Sequence, residues 1–180
     1  LAGVVIADVS TPWESAIDPL YGFPGAEGTL QSRVVRETGS GFLDFYWRIT
    51  VDQPSYPAYV PALLTISGLD LERFLTGPSF DADFRLDGLG STAPAGGSSA
   101  NAGSFTFQFK GSAFGPGSTL YFLLLHSNAM TYDTSATASL GASSFATFSP
   151  AAAIPEPETY ALMLAGLAAV HGRDIVHRDL

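Results

Sequence analysis

Apolar and polar residues alternate with a period of two along much of this chain. The clearest case runs from Phe42 to Val51, where Leu43, Phe45, Trp47, Ile49 and Val51 fall on one face. Phe42, Asp44, Tyr46, Arg48 and Thr50 fall on the other. Such alternation predicts a strand with one face on a core and the other toward solvent. Gln53-Pro54 breaks it. Leu30 to Arg36 reads as a shorter strand, closed by Glu37-Thr38-Gly39-Ser40-Gly41. Ala62 to Ile66 is a short buried run, and Leu69 to Leu75 is one helical turn or a strand edge. Phe80 to Leu86 alternates again, with Asp87-Gly88 as a turn signal. Phe105, Phe107 and Phe109 alternate with Ser104, Thr106, Gln108 and Lys110, which predicts another half-buried strand. Leu120 to His126 is nearly continuous in apolar residues, as in a strand central to a sheet. Thr134 to Phe148 holds small β-formers interrupted at Gly141.

Between these runs lie turn formers. Residues 8–29 contain Pro12, Pro19 and Pro24 and read as irregular. Gly90 to Gly103 is rich in Gly, Ser and Ala and reads as a flexible loop, and Gly111 to Gly117 turns the chain. About six to nine short strands without a long amphipathic helix predict a mainly β protein. The expected fold is an antiparallel β-sandwich, jelly-roll or Ig-like, with a short C-terminal apolar helix. The expected organisation has four parts. Residues 1–7 are a signal-peptide remnant or a first strand, and 8–149 are the sandwich. Residues 150–170 are a linker with an apolar segment, and 171–180 are a separate tail. A first residue of Leu1 rather than Met predicts a fragment or a processed chain.

Composition narrows the function classes. At 180 residues the chain is long enough to bury a core. Charged residues make up 14%, below the roughly 25% of soluble domains. The net charge is −9, with Lys110 the single lysine, so a nucleic-acid partner is not expected. With no cysteine there is no disulfide, no zinc-thiolate site and no thiol nucleophile.

Candidate chemistry is sparse, and neither a catalytic residue, a metal site nor a cofactor is expected. Asp81, Asp83 and Asp87 suggest calcium, but an EF-hand loop needs an oxygen ligand at its fifth position and Gly at its sixth. Arg85 and Leu86 stand there, so the acidic residues read as the solvent face of a strand. His126, beside Ser127 and Asn128, could belong to a Ser-His-Asp site assembled from distant residues. No Gly-x-Ser-x-Gly elbow supports that, and His126 reads as a hydrogen-bonded residue at a strand end. The many carboxylates do not single out a glycosidase pair. Trp13, Trp47, Tyr46, Tyr56 and Tyr59 could stack on sugars. Trp47 alternates into the core face, which leaves Tyr56 and Tyr59, in a Pro-bounded loop, as the candidates for sugar contact.

The most informative segment is Ile154-Pro155-Glu156-Pro157-Glu158-Thr159-Tyr160-Ala161-Leu162-Met163-Leu164-Ala165-Gly166-Leu167-Ala168-Ala169. It resembles the PEP-CTERM sorting signal of exported Gram-negative proteins, in which a Pro-Glu-Pro motif precedes an apolar helix and a basic tail. The resemblance implies a recognition motif at Pro155, Glu156 and Pro157. It implies an apolar anchor over residues 159–170, including Tyr160, Leu162, Met163, Leu164, Leu167 and Val170. Pro155 and Pro157 lock φ and hold the motif extended, and Tyr160 suits a membrane interface. More loosely, Gly28–Val34, Leu43–Tyr46, Phe84–Gly88 and Leu123–Ala129 look like segments recurring in small PEP-CTERM proteins.

What the resemblance implies is export to the cell envelope or beyond it. The expected partners are an exosortase that processes the signal, the membrane through the C-terminal segment, and exopolysaccharide. The implied role is structural or adhesive rather than enzymatic. The alternatives are a carbohydrate-binding module using loop aromatics and a small secreted hydrolase.

The tail departs from the family in two ways. The apolar run over 160–170 is about half the roughly 20 residues that a membrane-spanning helix needs. Beyond it, His171 to Leu180 resembles the lead-in to a protein-kinase catalytic loop ending His-Arg-Asp-Leu, with Asp179 at the catalytic position. An Asp-Phe-Gly motif is missing, and Gly88-Leu89-Gly90 does not open a phosphate loop. The tail therefore reads as a chimeric or truncated join, or a chance match, and kinase activity is not expected.

Overall fold

The structure, a computed structural model, describes residues 3–15, 22, 25–52, 63–69, 82–85, 89–101, 103–109, 115–141 and 143–151. Among these residues there are ten strands and no helix. In chain order they are β1 (Gly3–Glu14), β2 (Glu27–Glu37), β3 (Leu43–Val51), β4 (Leu63–Ser67) and β5 (Ala82–Arg85). They continue as β6 (Gly96–Asn101), β7 (Ser104–Gln108), β8 (Phe122–His126), β9 (Thr131–Leu140) and β10 (Ser143–Ala151). The protein is mainly β, as the alternation predicts. The strands form two five-stranded antiparallel sheets, the first in the order β1-β2-β3-β8-β5 and the second β10-β9-β4-β7-β6.

One apolar core lies between the sheets. The first sheet contributes Leu30, Val34, Leu43, Phe45, Trp47, Ile49, Leu123 and Leu125. The second contributes Leu64, Ile66, Phe105, Phe107, Ala136, Ala138, Leu140 and Phe148. These are the residues that a period of two places on one side of each strand. Polar contacts also cross the interface. The Trp47 indole N–H donates to the Thr147 hydroxyl at 2.8 Å, and Thr147 bonds the Ser32 hydroxyl at 3.0 Å. The Ser143 hydroxyl donates to the Glu14 carbonyl, tying β10 to β1.

Three stretches differ from the sequence reading. Residues 8–29 are not irregular throughout: β1 runs through Pro12 to Glu14, and β2 starts at Glu27. The reason is position, because β1 is an edge strand, where a missing proline N–H is tolerated. The same holds in the last described strand, where β10, also an edge, carries Pro150 and runs on to Ala151. The Gly/Ser/Ala segment expected as a loop contains β6, which pairs with β7 through its backbone. Gly97 fits there because a Cβ would lie 2.9 Å from the Phe105 ring.

Of residues 1–7, Gly3 to Ala7 belong to β1, which pairs with β2, and the first two lie outside the described residues. Of Leu69 to Leu75, only Leu69 is among the described residues, and it is buried. The expected C-terminal helix lies outside them, and among them no helix is long and apolar enough to cross a membrane.

Candidate functional site

The strand β3 is buried on both of its faces from Leu43 to Trp47, and Arg48 and Thr50 beyond are half-buried. Its inner face enters the core. Its outer face carries Asp44, Tyr46 and Arg48 at two-residue spacing, flanked by Gln31, Arg33, Val35 and Glu37 of β2 and by Phe122, Leu124 and His126 of β8. Sequence alternation assigned this face to solvent, and the structure corrects that: Asp44 is 0% exposed and Tyr46 2%. Tyr46 is covered by a second small apolar cluster that it forms with Val35 and Phe122, with Leu124 against it.

At one end of this face three ionisable groups meet. Asp44 and His126 are register partners across β3 and β8, so their side chains emerge side by side. His126 Nδ1 lies 2.6 Å from Asp44 Oδ1 and 3.7 Å from Glu37 Oε1. Glu37 is delivered by the tight connection between β2 and β3. There the Glu37 amide donates to the Phe42 carbonyl, and Gly41 turns the chain at φ 75°. Two hydroxyls hold the remaining carboxylate oxygens. Ser40 donates to Glu37 Oε2 at 2.5 Å, and Tyr46 donates to Asp44 Oδ2 at 3.3 Å.

Burial pushes the Asp44 carboxyl above its ordinary range, with the Glu37 charge adding and the His126 hydrogen bond and charge opposing. Burial, and then the neighbouring Asp44 charge, push the Tyr46 phenol up to about 12. Among the described residues, Glu37, Asp44 and His126 form a group whose ligand atoms all lie within 4.8 Å of one another.

Along the same face the guanidinium groups lie over aromatic rings. Arg33 and Arg48 sit 4.9 and 4.6 Å from the centroid of Phe122, and Arg85 sits 5.7 Å from that of Tyr46. Phe122 and Tyr46 meet edge to face at 5.9 Å. Asp8 pairs with Arg33 at 2.6 Å and accepts from Gln31, which in turn accepts from Arg48 at 2.7 Å. The arrangement gives a negatively charged net sequence one face on which arginines gather.

The residues singled out from sequence fall in different places. His126 is a hydrogen-bonded strand-end residue, as expected. Ser127 does not join it in a triad, because its hydroxyl is buried and donates to the Leu43 carbonyl at 2.6 Å. Asp83 is exposed on β5, while Asp81 and Asp87 lie outside the described residues. Trp47 is in the core, as expected. Trp13 and Tyr46 are also buried, which removes them as surfaces for a sugar ring. Tyr56, Tyr59, Pro155, Glu156, Pro157, Tyr160, Leu162, Met163, Leu164, Leu167 and Val170 lie outside the described residues, as does the kinase-like tail.

Sequence reasoning missed the grouping of Glu37, Asp44 and His126. A hairpin read across Gly39-Ser40-Gly41 would have brought Glu37 near Asp44. Adding His126 requires knowing that β8 pairs with β3, across 82 positions of chain.

Comparison with known proteins adds no relative: no protein-family model matches the chain, and no curated protein or solved structure matches it.

Proposed function

We propose that this chain is an exported protein of the cell surface or extracellular matrix, processed through a PEP-CTERM-type signal by an exosortase. Its role is structural or adhesive and linked to exopolysaccharide. The observation that carries this reading is the order of residues after β10. That strand closes at Ala151, and the sequence then runs through Pro155-Glu156-Pro157 directly into the apolar stretch over 160–170. A sequence in which two prolines restrict φ just ahead of an apolar run suits recognition by a membrane-bound processing enzyme.

The body suits the same role. We read the two sheets as a β-sandwich of the jelly-roll type. Strand β3 pairs with β8 and β4 pairs with β7, so that a β3–β4 ribbon lies against a β7–β8 ribbon in nested fashion. An Ig-like order would instead pair second with fifth and third with sixth strands. The outer face of the first sheet carries Arg33, paired with Asp8, together with Arg48 and Arg85, and guanidinium groups exchange such partners for the carboxylates of an acidic polysaccharide.

A pull-down on extracellular polysaccharide from the native host tests the adhesive part. Retention that falls with rising salt, and falls again in Arg48→Ala, supports this reading. Equal recovery on polysaccharide and on uncoated resin contradicts it.

A further inference from the structure

We propose that Glu37, Asp44 and His126 form a binding site for a divalent first-row transition-metal cation of the zinc class. The proposal is independent of the sorting signal and of any polysaccharide contact. It starts from the donor set. One imidazole nitrogen and two carboxylate oxygens come from three different strands and converge within 4.8 Å. Calcium and magnesium take oxygen ligands, whereas imidazole with carboxylate suits zinc and its neighbours.

The ligand atoms must shift by roughly 1 Å to surround an ion. Bonds of about 2.1 Å at tetrahedral angles place neighbouring ligand atoms roughly 3.4 Å apart. His126 Nδ1 and Glu37 Oε1 already stand 3.7 Å apart. His126 Nδ1 and Asp44 Oδ1, now 2.6 Å apart with a proton between them, must open by somewhat less than about 1 Å. The side chain of His126 is 25% exposed and that of Glu37 14%, so His126 is the ligand on the solvent side that adjusts most readily. Asp44, fully buried, is the fixed point. On binding, the imidazole takes the tautomer with its proton on Nε2, which frees the Nδ1 lone pair for the ion.

The surroundings are those of an oriented site. Metal-ligating carboxylates are held by hydrogen bonds on their non-ligating oxygens. Here the Ser40 and Tyr46 hydroxyls bond Glu37 Oε2 and Asp44 Oδ2, leaving Oε1 and Oδ1 on the side of His126. Arg36, next to Glu37 in the chain, directs its guanidinium to the carbonyls of Gly41 and Met130. Two carboxylates this close gain from a divalent charge between them. Three protein ligands leave a coordination position for water or for a donor atom of another molecule.

The test is titration of the full-length protein with Zn²⁺, and with Co²⁺ as a spectroscopic probe, by calorimetry and visible absorption. The expected result is one saturable site, weakened at least tenfold in both Glu37→Gln and His126→Gln. Thermal melting of each variant checks that it is folded. Should either variant fail to fold, ¹⁵N NMR of the parent protein reads the same site: Zn²⁺ is expected to shift the His126 Nδ1 resonance. The tail histidines supply the control, and His171→Ala/His177→Ala is expected to keep the site. No saturable binding, affinity unchanged in folded Glu37→Gln and His126→Gln, an unmoved His126 resonance, or loss of all binding in the tail variant would overturn the proposal.

Discussion

The indole N–H of Trp47 donates to the Thr147 hydroxyl at 2.8 Å, joining β3 of the first sheet to β10 of the second across 100 positions of chain. Thr147 in turn bonds Ser32 of β2, so one relay of three side chains links the layers inside an otherwise apolar interface. The other tryptophan contrasts with it, because Trp13 Nε1 is buried with no hydrogen-bond partner among the described residues. Trp47→Phe loses a made bond and leaves a gap, at a cost of about 1–3 kcal/mol. Trp13→Phe leaves a similar gap but removes an unsatisfied donor, so it is expected to cost less. Urea unfolding of the two variants makes the comparison, and equal losses would contradict the assigned role of the relay.

Gly28 is expected to tolerate no side chain. A Cβ there would stand 1.9 Å from the Thr50 carbonyl oxygen and 3.0 Å from the Trp13 ring. The obstacle is backbone on the paired strand β3, which cannot give way without opening the sheet. Gly28→Ala is expected to lower stability by at least about 1–3 kcal/mol, as overpacking does. Gly39→Ala, where a Cβ meets nothing within 4 Å, is the matched control and is expected to change little.

The buried carboxyl of Asp44 makes stability depend on pH in a definite direction. Its folded value is raised above 3.8, so between 3.8 and the raised value the folded chain holds more protons than the unfolded chain. The contribution from this group is therefore complete below 3.8 and is lost as pH rises through the raised value. Asp44→Asn keeps an acceptor for His126 but has no charge to bury. In the presence of a chelator, the stability of Asp44→Asn relative to the parent is expected to increase as pH is raised from about 4 to about 7. Denaturant midpoints measured across that range check the sign, and a difference that shrinks with rising pH would refute it.

Strand positions were largely legible in the sequence, because a period of two is a local property. The inner face of β3 needed only Leu43, Phe45, Trp47, Ile49 and Val51 to be seen. Its outer face was not legible. Whether Tyr46 meets water depends on Val35, Phe122 and Leu124 from neighbouring strands, and neither β3 nor its flanks encode that. The edge strands misled in a different way. Pro12 in β1 and Pro150 in β10 read as breakers, yet an edge strand has backbone positions that no neighbour requires. Strand β6 was hidden by its small residues, which lack the apolar pattern and take their place through backbone pairing with β7. The site was least legible of all: His126 was visible as a polar strand end, but its partners came only with the pairing of β3 and β8.

Export through the C-terminal signal is the central claim, and fractionation of the native host tests it most directly. The protein would be followed by an antibody to its body and by intact-mass measurement of the recovered chain. The predicted result is recovery from the cell envelope or medium, with processing at the C-terminal signal. Replacing Pro155, Glu156 and Pro157 together by alanine is predicted to leave the chain unprocessed. Recovery of the unprocessed native chain from the cytosol, with no change in fate on replacing the motif, would contradict the account.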